Sequence, residues 1–124
     1  KLAGEKAIAN VGGDHCIVRT SWLYSEYGNN FQTKILVKAK TAPFLEVVSD
    51  LHGTPTYAPN LVVFLLNKIH KSAFASNMEH FSDTKTMSWH ELAEKIVGEG
   101  TIVNKVKFGT LKLKAKRAKD TSIS

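Results

Sequence analysis

The sequence predicts an α/β domain in which short parallel strands alternate with helices, and three observations predict it. Segments with helical spacing of apolar residues alternate with short apolar runs rich in β-branched residues. Clusters of Gly, Pro, Asn and Asp, such as "GGD" and "SDLHGTPTYAPN", punctuate the boundaries. The chain has 124 residues with no internal repeat or low-complexity linker, which is the size of one domain.

The elements follow in order. "KLAGEKAIANV" reads as a helix with Leu2, Ile8 and Val11 near one face, stopped by Gly12-Gly13. "HCIVRT" is bounded by turn signals and reads as a buried strand. Phe31, Ile35, Leu36 and Ala39 stand at helical spacing, and "FLEVVS" is a second strand. "SDLHGTPTYAPN" reads as a loop, and "LVVFLLNKIHK" as a helix buried on most of its circumference. "MEHFS" is a third strand. In "SWHELAEKIVGEG", Ser88 and Glu91 form a capping box and Gly98 marks the stop. From Val103 onward apolar residues and lysines alternate, the pattern of an exposed edge strand.

In open parallel sheets, ligands bind outside the carboxyl ends of the strands. Two loops leave strands at that end, "RTSWLYSEYGNNF" and "SDLHGTPTY". A connection that only had to turn would use Gly, Asn, Asp or Pro. The first loop adds Trp22, Tyr24 and Tyr27, which bring stacking surface and hydrogen-bonding groups. Both loops are therefore expected to wall a binding cleft.

Composition narrows the classes. Hydrophobic residues make up 43% and charged residues 23%, as in a globular domain rather than a disordered one. The longest purely apolar run, Leu61 to Leu66, is too short to span a bilayer, so no membrane partner is expected. No secretory signal is visible at the amino terminus, which suggests a cytoplasmic protein. The single cysteine, Cys16, excludes an internal disulfide and reads as a small hydrophobe of the first strand. The five histidines show no metal-ligand spacing, and no nucleophile elbow is present.

The net charge of +6 is uneven: ten Lys/Arg balance ten Asp/Glu through residue 100, and seven basic residues then face Asp120 alone. Such a tail suits an anionic partner. A nucleic-acid surface would spread its basic residues over a face, so nucleic acid is not expected. Lys1 opens the chain inside a helical pattern without an N-cap, which reads as a piece of a longer polypeptide.

Five blocks in order, "KLAGEKA", "RTSWLYSEYGNNF", "VVSDLHGTPTYAPNL", "HFSDTKTMSWHELAEKI" and "KRAKDTS", carry a resemblance over almost the whole chain. They resemble the carboxyl-terminal half of the dTDP-4-dehydrorhamnose reductase family, which belongs to the extended short-chain dehydrogenases/reductases. The resemblance implies the carboxyl-terminal part of a Rossmann-like fold plus a small substrate-binding region. Residues 1–124 would form a single substrate-binding part, with the amino-terminal dinucleotide-binding half absent. It also implies a parent that reduces a dTDP-4-dehydro sugar to dTDP-L-rhamnose with NADPH or NADH, for polysaccharide synthesis in a bacterial cytoplasm. Some members use Mg²⁺ and some form dimers, so Mg²⁺ and a homo-oligomer stand as options.

The resemblance also implies roles. Lys1 matches the lysine of the Tyr-x-x-x-Lys motif, which holds the nicotinamide ribose and lowers the tyrosine pKa by its charge. That tyrosine and the glycine fingerprint are missing, so the chain alone is expected to be inactive. Trp22 matches a substrate-contacting tryptophan, while Thr20 and Ser21 fall near the nicotinamide end of the cofactor. Asn29 and Asn30 open the next helix, where one should cap it and the other bind substrate. Gly53, Thr54, Pro55 and Thr56 resemble a second substrate loop, with Leu51 standing in place of the family's glutamine. Arg117 matches an arginine near the nucleotide-sugar, suited to a diphosphate by its planar fork of donors, although Ala118 replaces the proline that usually follows. The rival reading is a non-catalytic, reductase-like subunit that uses the same cleft for binding and regulation.

Overall fold

The computed structural model describes residues 1–71, 77–110 and 118–123. Helix α1 (Leu2–Val11) ends at Gly12, whose φ of 77° suits a residue without a Cβ. Strand β1 (Cys16–Arg19) leads into the two-residue β2 (Leu23–Tyr24). Helix α2 (Phe31–Ala39) follows, then β3 (Phe44–Val48), β4 (His52–Gly53) and β5 (Thr56–Tyr57). Helix α3 (Ala58–His70) starts on a proline-containing turn, ahead of β6 (Asn77–His80) and β7 (Met87–Ser88). Helix α4 (Trp89–Val97), β8 (Ile102–Val106), a 3₁₀ turn (Phe108–Thr110) and β9 (Asp120–Thr121) complete the order.

The expected parallel pairing is present. β1 runs parallel to β6, β2 to β5 and β3 to β8, with Leu45 opposite Val103 in the last pair. β4 lies between β7, antiparallel, and β9, parallel. The α/β class follows from the first three pairs; β7, β4 and β9 form a separate small sheet. The core lies where α2 and α4 cover β3: Ile35, Leu45, Val47 and Ala93 are buried together, with Phe31, Trp89 and Val103 packed on them.

Three expectations need correction. β1 is half-buried along its whole length, because its one strand neighbour among the described residues is β6. α3 was expected to be buried on most sides, yet none of its residues is buried, and Val62, Val63, Leu66 and Ile69 are more than half exposed. Its apolar character is genuine, but no described element covers that surface. The second loop is also more ordered than its glycine and prolines suggest, since it contains β4 and β5. Of the lysine-alternating segment, β8 forms with Asn104 and Lys105 exposed and Val103 and Val106 half-buried. Residues 111–117 of that segment lie outside the described residues.

The capping box forms as read from the sequence. Ser88 Oγ accepts from Glu91 N–H, and the Glu91 carboxylate accepts from Ser88 N–H at 2.6 Å. The Ser88 backbone and hydroxyl donors hold the Glu91 carboxyl below the usual carboxylate range. A depressed pKa contributes stability above the unfolded pKa that is lost as pH falls through the folded value. Glu91→Ala is therefore expected to lower the stability of the chain by about 0.5–1 kcal/mol at neutral pH. The gap to wild type should shrink in thermal melts as the buffer is taken below the carboxylate range.

Candidate functional site

The two loops meet as expected, and their side chains stitch them together. Thr20 Oγ1 donates to Thr56 Oγ1 at 2.8 Å, and Ser21 Oγ donates to the Thr54 carbonyl at 2.6 Å. The Thr56 N–H donates to the Trp22 carbonyl, and the segment after β9 joins through Ile123 N–H to Thr54 Oγ1. Trp22 sits at the tip of this seam with φ of 45°, the one non-glycine residue in the left-handed region among those described. A bulky residue holds that conformation only where its surroundings over-determine it.

Those surroundings are specific. The Trp22 indole stacks on Trp89, with centroids 3.6 Å apart and planes 11° from parallel. Phe31 packs on Trp89 in turn, at 4.5 Å. Trp22 Nε1 donates to Thr121 Oγ1 at 2.8 Å. The indole also lies so close to Gly53 that a Cβ there would fall 2.4 Å from Cε2. Trp22, Leu51, Trp89, Ala118 and Thr121 line a hollow of about 310 Å³. Its walls are two indoles, two aliphatic side chains and a hydroxyl, chemistry that suits a sugar ring with an apolar face and a polar rim.

The other sequence-derived residues divide. Gly53, Pro55 and Thr56, the expected substrate contacts of the second loop, are buried behind the wall, Thr56 at 0% exposure. Thr20 and Ser21, expected near the nicotinamide end of the cofactor, donate their hydroxyl protons across the seam. Asn30 is the cap of α2: Oδ1 accepts from Gln32 and Thr33 N–H, and Nδ2 donates to the Ser25 and Tyr27 carbonyls. With both amide hydrogens engaged, Asn30 takes the capping role expected of one of the two asparagines. Asn29 is exposed and lines a different hollow of about 480 Å³ beside α2, which shares no residue with the Trp22 hollow. Lys1 is exposed at the start of α1. That helix is tied to the end of β1 by Arg19, whose guanidinium donates twice to Glu5 and holds its carboxyl below the usual range. Arg117 lies outside the described residues.

Two wall residues escaped the sequence reading. Trp89 stands in the first turn of a well-capped helix, where a ring can face a neighbouring loop, but nothing in its spacing says which one. Thr121 sits in a two-residue strand with no readable pattern. A second cluster lies beside the seam. Tyr57 donates its phenol hydrogen to Glu26, which lowers the Glu26 pKa and raises that of Tyr57. Burial raises the Tyr24 phenol. Among the described residues no group of three or more His, Cys, Asp or Glu is placed to hold a metal ion, and no helix is long and apolar enough to cross a membrane.

Known proteins match this architecture. The model of the RmlD substrate binding domain matches residues 1–124. The dTDP-4-dehydrorhamnose reductase of Sinorhizobium fredii is 37% identical over 101 residues, covering 77% of this chain and 34% of that protein. The crystal structure of dTDP-4-dehydrorhamnose reductase from Bacillus anthracis in complex with NADP superposes with a TM-score of 0.89 at 35% identity, over 100% of this chain and 44% of that one. The Clostridium acetobutylicum dTDP-4-dehydrorhamnose reductase gives 0.88 at 31% identity, again over 100% of this chain and 44% of the other. The chain thus spans about a third of the length of the curated relative and less than half of the solved ones. With its whole length matched by the family model and its fold shared with these reductases, the chain belongs to the RmlD substrate binding domain family.

Proposed function

We propose that residues 1–124 form the substrate-binding wall of a dTDP-4-dehydrorhamnose reductase, which reduces the 4-keto sugar to dTDP-L-rhamnose for polysaccharide synthesis. The observation that carries this reading is the Trp22 indole, fixed on three sides at the edge of a sugar-sized hollow. The NADP bound in the Bacillus anthracis relative supports NADPH as the donor. A bound nicotinamide would supply the hydride, and Lys1 is the residue of this chain suited to hold its ribose.

The chain's own glycines do not make a phosphate cradle. Gly12 and Gly13, with φ of 77° and 83°, follow a helix, whereas a dinucleotide fingerprint lies between a strand and the helix it opens. We accordingly place the cofactor-binding half and the proton-donating tyrosine outside these residues, and expect the 124-residue chain alone to be inactive. The setting is the cytoplasm, where sugar nucleotides are made.

The test is NADPH oxidation by the full-length protein with the dTDP-4-dehydro sugar. Trp22→Ala should raise the KM for that sugar about tenfold, the loss of one aromatic contact, with a smaller change in kcat. Absence of turnover in the intact protein would overturn the assignment and favour a binding subunit. The uncovered face of α3 adds a further expectation: the isolated chain self-associates through Val62, Val63, Leu66 and Ile69. Sedimentation should show species above 13.7 kDa, and Val63→Lys with Leu66→Lys should return it to a monomer.

A further inference from the structure

We infer that Trp89, acting with Thr121, is a positioning residue for substrate binding, because it fixes the plane of the Trp22 indole. The inference rests on the reading of Trp22 as a substrate contact. An indole on a loop has two side-chain torsions to lose when a ligand binds, and holding them beforehand is worth affinity. Here each freedom is removed by a different element. The Trp89 ring, at 3.6 Å and 11°, fixes the tilt of the plane. The bond from Nε1 to Thr121 Oγ1 fixes rotation within it, and Thr121 Oγ1 in turn reaches the His52 carbonyl.

Trp89 can serve as a rigid platform because it is itself held. It occupies the first position of α4, directly after the Ser88 cap, and Phe31 of α2 packs on it. The column Phe31–Trp89–Trp22 therefore runs from the α2/α4 core to the loop tip. It gives a left-handed, non-glycine residue the external support that its backbone requires.

The chain contains two tryptophans, both in this stack. Face-to-face indoles at this separation couple their excited states, so circular dichroism of the chain should show an exciton couplet. Trp89→Phe and Trp22→Phe should each abolish it. In the full-length reductase, Trp89→Leu should raise the KM for the sugar nucleotide about tenfold with kcat nearly unchanged. Trp89→Phe, which restores a stacking ring, should recover most of that loss. Thr121→Val keeps the shape, removes the indole's acceptor and should raise KM about threefold. If Trp89→Leu does not fold, Thr121→Val carries the test, and an unchanged KM there overturns the positioning role.

Absence of the couplet in the wild type overturns the stack. Unchanged KM in Trp89→Leu and Thr121→Val, beside a raised KM in Trp22→Ala, overturns the positioning role and leaves the substrate reading standing. Unchanged KM in Trp22→Ala overturns both.

Discussion

Gly53→Ala is expected to dislodge the Trp22 indole, destabilise the chain by about 2–3 kcal/mol and, in the reductase proposed above, raise the KM for the sugar nucleotide at least tenfold. The added methyl would lie 2.4 Å from Cε2, 2.6 Å from Nε1 and 2.7 Å from Cζ2 of Trp22. Real Cβ atoms do not approach a ring so closely, so something must move. The indole cannot slide aside cheaply, because Trp89 covers it and Thr121 holds its N–H. The backbone of Gly53 cannot withdraw cheaply either, because β4 pairs on both sides, with β7 and β9. The requirement for glycine is therefore one of space: residue 53 is not among those with positive φ. Urea denaturation of Gly53→Ala, Trp22→Ala and the double variant isolates the clash. Because Trp22→Ala removes the ring that the methyl meets, the double variant should be clearly more stable than the sum of the single losses predicts. Strict additivity, or a Gly53→Ala variant as stable as wild type, would show that the ring and the strand are not in contact.

The parts of this molecule legible in its sequence are those encoded by neighbours along the chain. The Ser88–Glu91 box lies within one turn, and the stop of α1 at Gly12 needs one glycine. β1 and β3 announce themselves by runs of apolar, β-branched residues. The meeting of the two loops follows from a topological rule about strand ends, and Thr20–Thr56 and Ser21–Thr54 realise it. What escapes the sequence depends on partners distant along the chain. The apolarity of α3 can be read from its residues, but whether anything covers Val62 or Leu66 cannot. Asn29 and Asn30 are the same residue type side by side, and only the backbone decides that Asn30 turns inward to cap α2 while Asn29 stays exposed. β4, β5 and β9 have two residues each, too few to show a period. The stack of Trp22 on Trp89 joins residues that share no local pattern.

His90→Ala is expected to be the most damaging single truncation in the α4–β8 layer, at about 3–4 kcal/mol. His90 is 2% exposed, and its Nε2 lies 2.9 Å from the Val103 carbonyl. A carbonyl only accepts, so Nε2 carries the hydrogen. Nδ1 stands 3.2 Å from the Glu94 carboxylate, within ion-pair distance but without hydrogen-bond alignment. The ring thus does two jobs: it fills buried space on α4, and it satisfies a carbonyl of β8. A three-variant series in urea separates them. Ala loses both the volume and the donor. Leu restores volume but leaves the carbonyl unpaired, and should cost about 1–2 kcal/mol. Gln carries an amide donor at similar reach and should be the mildest of the three. If Leu proves milder than Gln, packing alone accounts for the residue and the bond to Val103 contributes nothing. If Gln is mildest, the bond from His90 to Val103 is what docks α4 onto β8, and with it the first turn that presents Trp89 to the loop.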